Sequence, residues 1–139
     1  MAVRAVKMDV YRTAIGMRSF EHAAASRSRA EAVVVRAEFS DGLVGWGETL
    51  PRPYVTGETL ESVVADLGSV VWPAVREMDF SGGAAEVSAA LGAIATSAGD
   101  GRCMNAAACA AELACVDAYL VRRGAVSPVS YTHLRAHET

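Results

Sequence analysis

The stretch that decides the fold runs from Asp41 to Thr59, DGLVGWGETLPRPYVTGET. Asp41-Gly42 supplies a turn signal, because such a pair accepts the positive φ of hairpin turns. Leu43 to Thr49 then returns as a short strand, with Gly45 and Gly47 alternating against Val44, Trp46 and Glu48. Glycines on one face of a strand point to close approach of another backbone or to a bend. Pro51 and Pro53 cannot donate to a sheet ladder and restrict the residues before them, so the strand must end there. Nothing in this stretch can do chemistry alone. It reads as a shaped lid, and the question is what it covers.

Upstream, Val6, Met8 and Val10 alternate with Lys7, Asp9 and Tyr11, the period of a half-buried strand. Ala30 to Phe39 is a second strand, rich in valine. Between them Ile15 to Arg29, IGMRSFEHAAASRSR, loses the alternation and is expected to be a long loop with Phe20 as its one large aromatic. The three strands form an antiparallel meander.

Downstream the period changes. Leu60, Val63, Val64, Leu67 and Val71 follow the spacing of an amphipathic helix, expected to stop near Trp72-Pro73. Val87, Leu91 and Ile94 mark a second helix after Ser81-Gly82-Gly83. Asn105 is the expected N-cap of a third, with Cys109, Leu113, Val116 and Leu120 as its apolar stripe. Arg122, Arg123 and Gly124 suit its C-terminal end. Alanines at 106, 107, 108, 110 and 111 allow close packing. Three strands followed by about three helices make a segregated α+β fold.

At 139 residues, 52% hydrophobic and 21% charged, the chain suits one globular domain. A net charge of −3 and the lack of a basic run argue against nucleic acid as a partner. No apolar run approaches the roughly 20 residues that span a bilayer. The N-terminus has no signal-peptide core, so a cytoplasmic protein is expected.

The candidate motifs are mostly structural. Gly42, Gly45 and Gly47 have the wrong order and setting for a phosphate-binding loop. Cys103, Cys109 and Cys115 fit neither a redox pair nor a zinc set and are expected to be buried free thiols. Glu48, Glu58, Glu61, Glu112 and Asp117 form no acid–base pair by spacing, which leaves surface or capping roles. His133 and His137 would share a helix face but have no third ligand nearby, so no metal site is expected. Tyr54, in the proline-stiffened loop, either packs on its own loop or leans over a ligand.

The meander, the long first loop, the G-x-G-E strand end, the proline-rich loop and the alanine-rich helix occur together in a known family. Through DGLVGWGETLPRPYVTGETLES (Asp41 to Ser62) and NAAACAAELACVDAYLVRRG (Asn105 to Gly124), the chain resembles the N-terminal capping domain of the enolase superfamily. More narrowly it resembles the mandelate racemase and muconate lactonizing enzyme branch. The resemblance covers roughly Val3 to Ser127. It implies a domain that packs over the mouth of a β/α barrel and presents two loops to a small carboxylate substrate. Those loops would be Ile15 to Arg29, with Phe20 and His22 as contacts, and Leu50 to Thr56, with Arg52 and Tyr54. It further implies Mg2+-dependent removal of a proton α to a carboxylate, and a homo-oligomer for the full-length enzyme. The TGET loop leans toward dipeptide epimerase-like or muconate cycloisomerase-like relatives.

The departure from the family is large. A barrel takes about 250 residues, and the family's barrel lysines and carboxylate metal ligands have no counterpart in this sequence. The expectation is a cap over residues 1–128, a foreign tail over 129–139, and no catalytic residue and no metal ligand in this chain. The competing expectation is a stand-alone α+β module that binds a partner through Trp46 and Tyr54.

Overall fold

The computed structural model describes residues 1–22 and 25–124, with side chains described for 1–16 and 31–124. Three strands form one antiparallel sheet in the order β1-β2-β3: β1 (Ala5–His22), β2 (Ala25–Phe39) and β3 (Val44–Thr49). The helical part follows as α1 (Pro53–Thr56), α2 (Leu60–Asp66), α3 (Trp72–Val75), α4 (Ala84–Gly92) and α5 (Asn105–Arg122). The segregated α+β order expected from the sequence is the order observed.

The β2–β3 turn forms as its residues require. Gly42 takes φ +87°, and the Asp41 carboxylate accepts from the Leu43 N–H at 3.3 Å. Alternation then sorts the sheet into two faces. Val33, Val35, Ala37 and Phe39 of β2 are buried toward the helices, together with Gly45 and Gly47 of β3. The opposite face carries Asp9, Arg36, Glu38, Tyr11 and Trp46. There Arg36 bonds to Asp9 and Glu38, and the Tyr11 and Trp46 rings stack 6.3 Å apart.

The first loop is shorter than expected. β1 and β2 stay paired past Ile15↔Ala30 and Gly16↔Arg29 to His22↔Ala25, with one register shift between Gly16 and Phe20. The composition of Ile15 to Arg29 is small and polar, but cross-strand hydrogen bonds do not depend on apolar alternation, and the ladder carries on without it.

The first helix is also not stopped at Pro73. After Asp66 the backbone widens into a π-type segment over Leu67–Val71, where the Trp72 N–H reaches back to the Leu67 carbonyl. This wider turn lets Pro73 enter at the start of α3 without the carbonyl clash it would cause in a regular helix. Val63, Leu67, Val71 and Val75 keep facing the core throughout.

α5 lies across β2 and β3 on a different face from the one expected. Its buried residues are Ala107, Ala108, Ala110, Ala111, Ala114, Cys115, Ala118 and Tyr119. Of the expected stripe, Cys109 and Leu113 are exposed, and Val116 and Leu120 are half-buried. Close backbone approach explains the choice, since only the alanine face can come near enough to meet the glycines of β3. A Cβ on Gly47 would strike the Ala110 carbonyl oxygen, and one on Gly45 the Ala114 carbonyl oxygen. The Asp117 carboxylate accepts from the Trp46 N–H on the outer edge of β3 at 2.9 Å. Phe39 meets Phe80 edge to face at 5.2 Å and closes the core at the turn end.

Candidate functional site

The register of the sheet shows where the two expected cap loops lie. β3 ends with Thr49 opposite Val33, and Val33 stands opposite Arg12 of β1. Beyond that level only the β1–β2 hairpin continues. The chain therefore leaves β3 toward Leu50 at the same end of the sheet from which the hairpin projects. The Asp41-Gly42 turn lies at the other end. Ile15 to Arg29 and Leu50 to Thr56 thus lie at the same end of the sheet although separate in sequence.

Within the second loop, Pro53 starts the single helical turn α1, and Gly57 closes it at φ +78° with its N–H donating to the Pro53 carbonyl at 3.0 Å. Arg52 and Tyr54 stand exposed on this turn, and Val55 is 65% exposed. Arg12 of β1 pairs with Glu61 in the first turn of α2 at 2.9 Å, linking the base of the hairpin to the helix that follows the loop. The side chains of Phe20 and His22 lie outside those described, as do His133, His137 and the 129–139 tail.

Of the acids named above, Glu58, Glu61 and Asp117 have partners in the structure. The buried Glu58 carboxylate, 1% exposed, accepts from the Ala106 N–H at 2.8 and 3.0 Å and from the Ala107 N–H at 3.3 Å. This corrects the expected cap of α5: Asn105 is its first residue, the Met104 side chain makes no cap bond, and a carboxylate distant in sequence does the work. Asp66, also buried, is held by a two-pronged bond from Arg102 at 2.7 and 2.9 Å. No periodicity or motif marks Arg102, so the sequence offered no signal for this pair.

At the turn end, Asp41 pairs with Arg122 of α5, whose guanidinium holds the Asp41 carboxyl below its ordinary range. Asp79 accepts from the backbone of Ser81 and Val3, and these bonds, with that of the Ser81 hydroxyl, draw its pKa down to about 2. Both shifted carboxylates therefore secure the end of the sheet away from the two loops. Among the described residues, no group of three or more His, Cys, Asp and Glu is placed to hold a metal ion.

The thiols are not all buried as expected. Cys115 is buried, which pushes its pKa up to about 12, but Cys103 is partly exposed and Cys109 lies on the open face of α5. Among the described residues, no helix is long and apolar enough to cross a membrane.

No protein-family model matches the chain. Among curated proteins it resembles the L-Ala-D/L-Glu epimerase of Bacillus subtilis, at 28% identity over 81 residues, 58% of this chain and 22% of that protein. The solved structure of that epimerase in a substrate-liganded complex superposes with a TM-score of 0.73 at 25% identity, over 86% of this chain and 32% of the epimerase. A muconate lactonizing enzyme from Mycobacterium smegmatis, complexed with muconolactone, gives a TM-score of 0.68 at 28% identity, over 85% and 30%. The chain thus spans about a third of the length of these structures.

The three-stranded meander followed by helices has the fold of the N-terminal capping domains of the enolase superfamily. In sequence and in fold the chain is similar to members of the branch of that superfamily that contains mandelate racemase and the muconate lactonizing enzymes.

Proposed function

We propose that this chain is the substrate-capping and specificity domain of a Mg2+-dependent racemase, epimerase or cycloisomerase that removes a proton α to a carboxylate. The observation that carries the reading is the convergence of the hairpin and the Leu50 to Thr56 loop at one end of the sheet. The exposed apolar residues of α5, Leu113 at 46% and Val121 at 52%, suit a covering domain, which in this reading is the β/α barrel of the same enzyme. Phe20, His22, Arg52 and Tyr54 would contact the small carboxylate substrate.

The chemistry would belong to the barrel. A dipeptide epimerase from Enterococcus faecalis with the same fold was solved with Mg and the dipeptide L-Leu-L-Tyr. The described residues of this chain do not fit that ion. Glu58, Asp66, Asp41 and Asp117 are each engaged by backbone or guanidinium groups, so no catalytic step is assigned to them. By itself the chain would turn nothing over. In the same reading residues 1–128 form the cap, 129–139 are foreign to it, and the complete enzyme is a cytoplasmic homo-oligomer.

A second reading rests on the outer face of the sheet, where the stacked Tyr11 and Trp46 are 45% and 51% exposed. A stand-alone binding module would use that face. One experiment separates the two. Residues 1–124 are joined to the barrel of the Bacillus subtilis epimerase, and dipeptide epimerisation is measured. Capping predicts turnover that weakens with Arg52→Ala, through a KM raised about tenfold, and is indifferent to Trp46→Ala. Turnover that responds to Trp46→Ala and ignores Arg52→Ala would sink the capping reading. Sequencing the source DNA beyond codon 128 adds a direct check, since capping expects an open frame encoding a barrel with paired lysines.

A further inference from the structure

We propose that Glu58 is the positioning residue of the Leu50 to Thr56 loop, locking its trailing end onto the N-terminus of α5. What the loop touches rests on the capping reading above; the lock itself stands on geometry. No residue from Leu50 to Gly57 is buried, and α1 contributes no side chain to the core. The loop therefore buries no side chain of its own in the core. Glu58 follows directly, between the left-handed glycine that ends α1 and Thr59, the N-cap that begins α2. It is the one deeply buried side chain in this run, and its bonds cross 48 residues of sequence to Ala106.

The carboxylate is fully engaged. Three bonds come from the Ala106 and Ala107 N–H groups, and the Cys103 thiol donates to Oε1 at 3.6 Å. A carboxylate at a helix N-terminus gains from the aligned peptide dipoles as well as from the bonds. Locally the same residue is steadied by the Thr56 hydroxyl, which accepts from the Glu58 N–H at 3.4 Å. Moving the loop would withdraw the carboxylate from α5 and leave the Ala106 and Ala107 N–H groups unsatisfied. The position of Arg52 and Tyr54 is therefore coupled to the long helix that also packs against β3.

The test compares amide exchange in the full chain for Glu58→Gln and for Thr59→Ala. Glutamine keeps the length but sets an NH2 group against backbone donors. Thr59→Ala breaks the neighbouring capping box with Ser62, a general loss of stability beside the loop but outside the lock. The expected result is exchange at residues 52–57 at least about tenfold faster in Glu58→Gln, and little changed in Thr59→Ala. Equal acceleration in both, or none in Glu58→Gln, would overturn the lock. Should Glu58→Gln fail to fold, Glu58→Asp keeps the charge one methylene short. Its loop amides should then exchange ahead of those of Val33 to Val35, and uniform acceleration would again overturn the proposal.

In the barrel chimera, the Glu58→Gln substitution should raise KM about tenfold while kcat stays within about threefold; an unchanged KM would count against positioning. An inactive unsubstituted chimera would speak against the capping reading alone, because the exchange comparison decides the lock without a barrel.

Discussion

The two ends of this domain are built by opposite rules. At the seam between α5 and β3, backbone meets backbone. Alanines face glycines, Asp117 closes the strand edge, and Arg122 ties the helix to the turn at Asp41. At the loop end, α1 buries nothing, and one carboxylate reaching from Glu58 fixes the path of the chain. The first arrangement tolerates no added atom. The second leaves side chains open to whatever lies above them. In the capping reading, this division keeps the domain rigid at the seam and open to variation where the loops would meet a substrate.

The sharpest way to break the seam is Gly47→Ala. The new Cβ would collide with the Ala110 carbonyl and stand 2.8 Å from the Ala114 nitrogen, so the helix itself would have to retreat. A loss upward of about 4 kcal/mol is expected, seen as a collapse of the urea midpoint. A loss under 1 kcal/mol, on the same scale, would mean that the seam is not tight. Leu67→Ala should come next. Leu67 is fully buried in the π-type segment, and the cavity should cost about 3 kcal/mol by denaturant titration.

Acid should weaken the turn end as its two lowered carboxyl pKa values are approached. The folded pKa of Asp79 is about 2, below the ordinary 3.8, and that of Asp41 is also lowered. A depressed carboxyl pKa contributes stability that is present above about pH 4 and lost as pH falls toward 2. Asp79→Asn should therefore flatten the acid limb between those values. An unchanged pH profile would show that Asp79 does not hold the N-terminal strand. The smallest effects belong to the loop. Arg52→Ala and Val55→Ala should each change stability by no more than about 0.5 kcal/mol, while the same substitutions at buried valines would not pass unnoticed. A large loss at either position would erase the contrast between the two ends.

Much of the fold was legible because its signals are local. The Asp41-Gly42 turn, the glycine alternation of β3, the proline end of the sheet and the period of α2 each depend on neighbours within a few residues. The alternating glycines of β3 leave open a bend or close backbone approach, and the structure shows close approach to α5. The buried face of α5 is not legible, because Cys109, Leu113, Val116 and Leu120 make a regular apolar stripe whereas the buried face is mostly alanine, which periodicity weighs lightly. The extent of the first hairpin is not legible, because ladder hydrogen bonds leave no hydrophobic pattern. Pro73 does not stop the helix, because a π-type turn with no simple sequence mark relieves its clash.

The candidate site divides in the same way. The sequence nominated the loops and, by resemblance, Phe20, His22, Arg52 and Tyr54. It could not show that the loops share one end of the sheet, nor that Glu58, Asp66 with Arg102, and Arg12 with Glu61 hold their surroundings. These are contacts between residues tens of positions apart, and which distant partner a carboxylate meets is not encoded in its neighbours.

By itself the sequence determined the α+β order, the turn, the strand end and the glycine face. Each follows from steric limits and hydrogen bonding within a short span. Only the tertiary structure decided which face of α5 is buried, what caps it and which end of the sheet gathers the loops. Those outcomes depend on how closely two backbones can approach, and on the burial of charges that must find their partners across the fold.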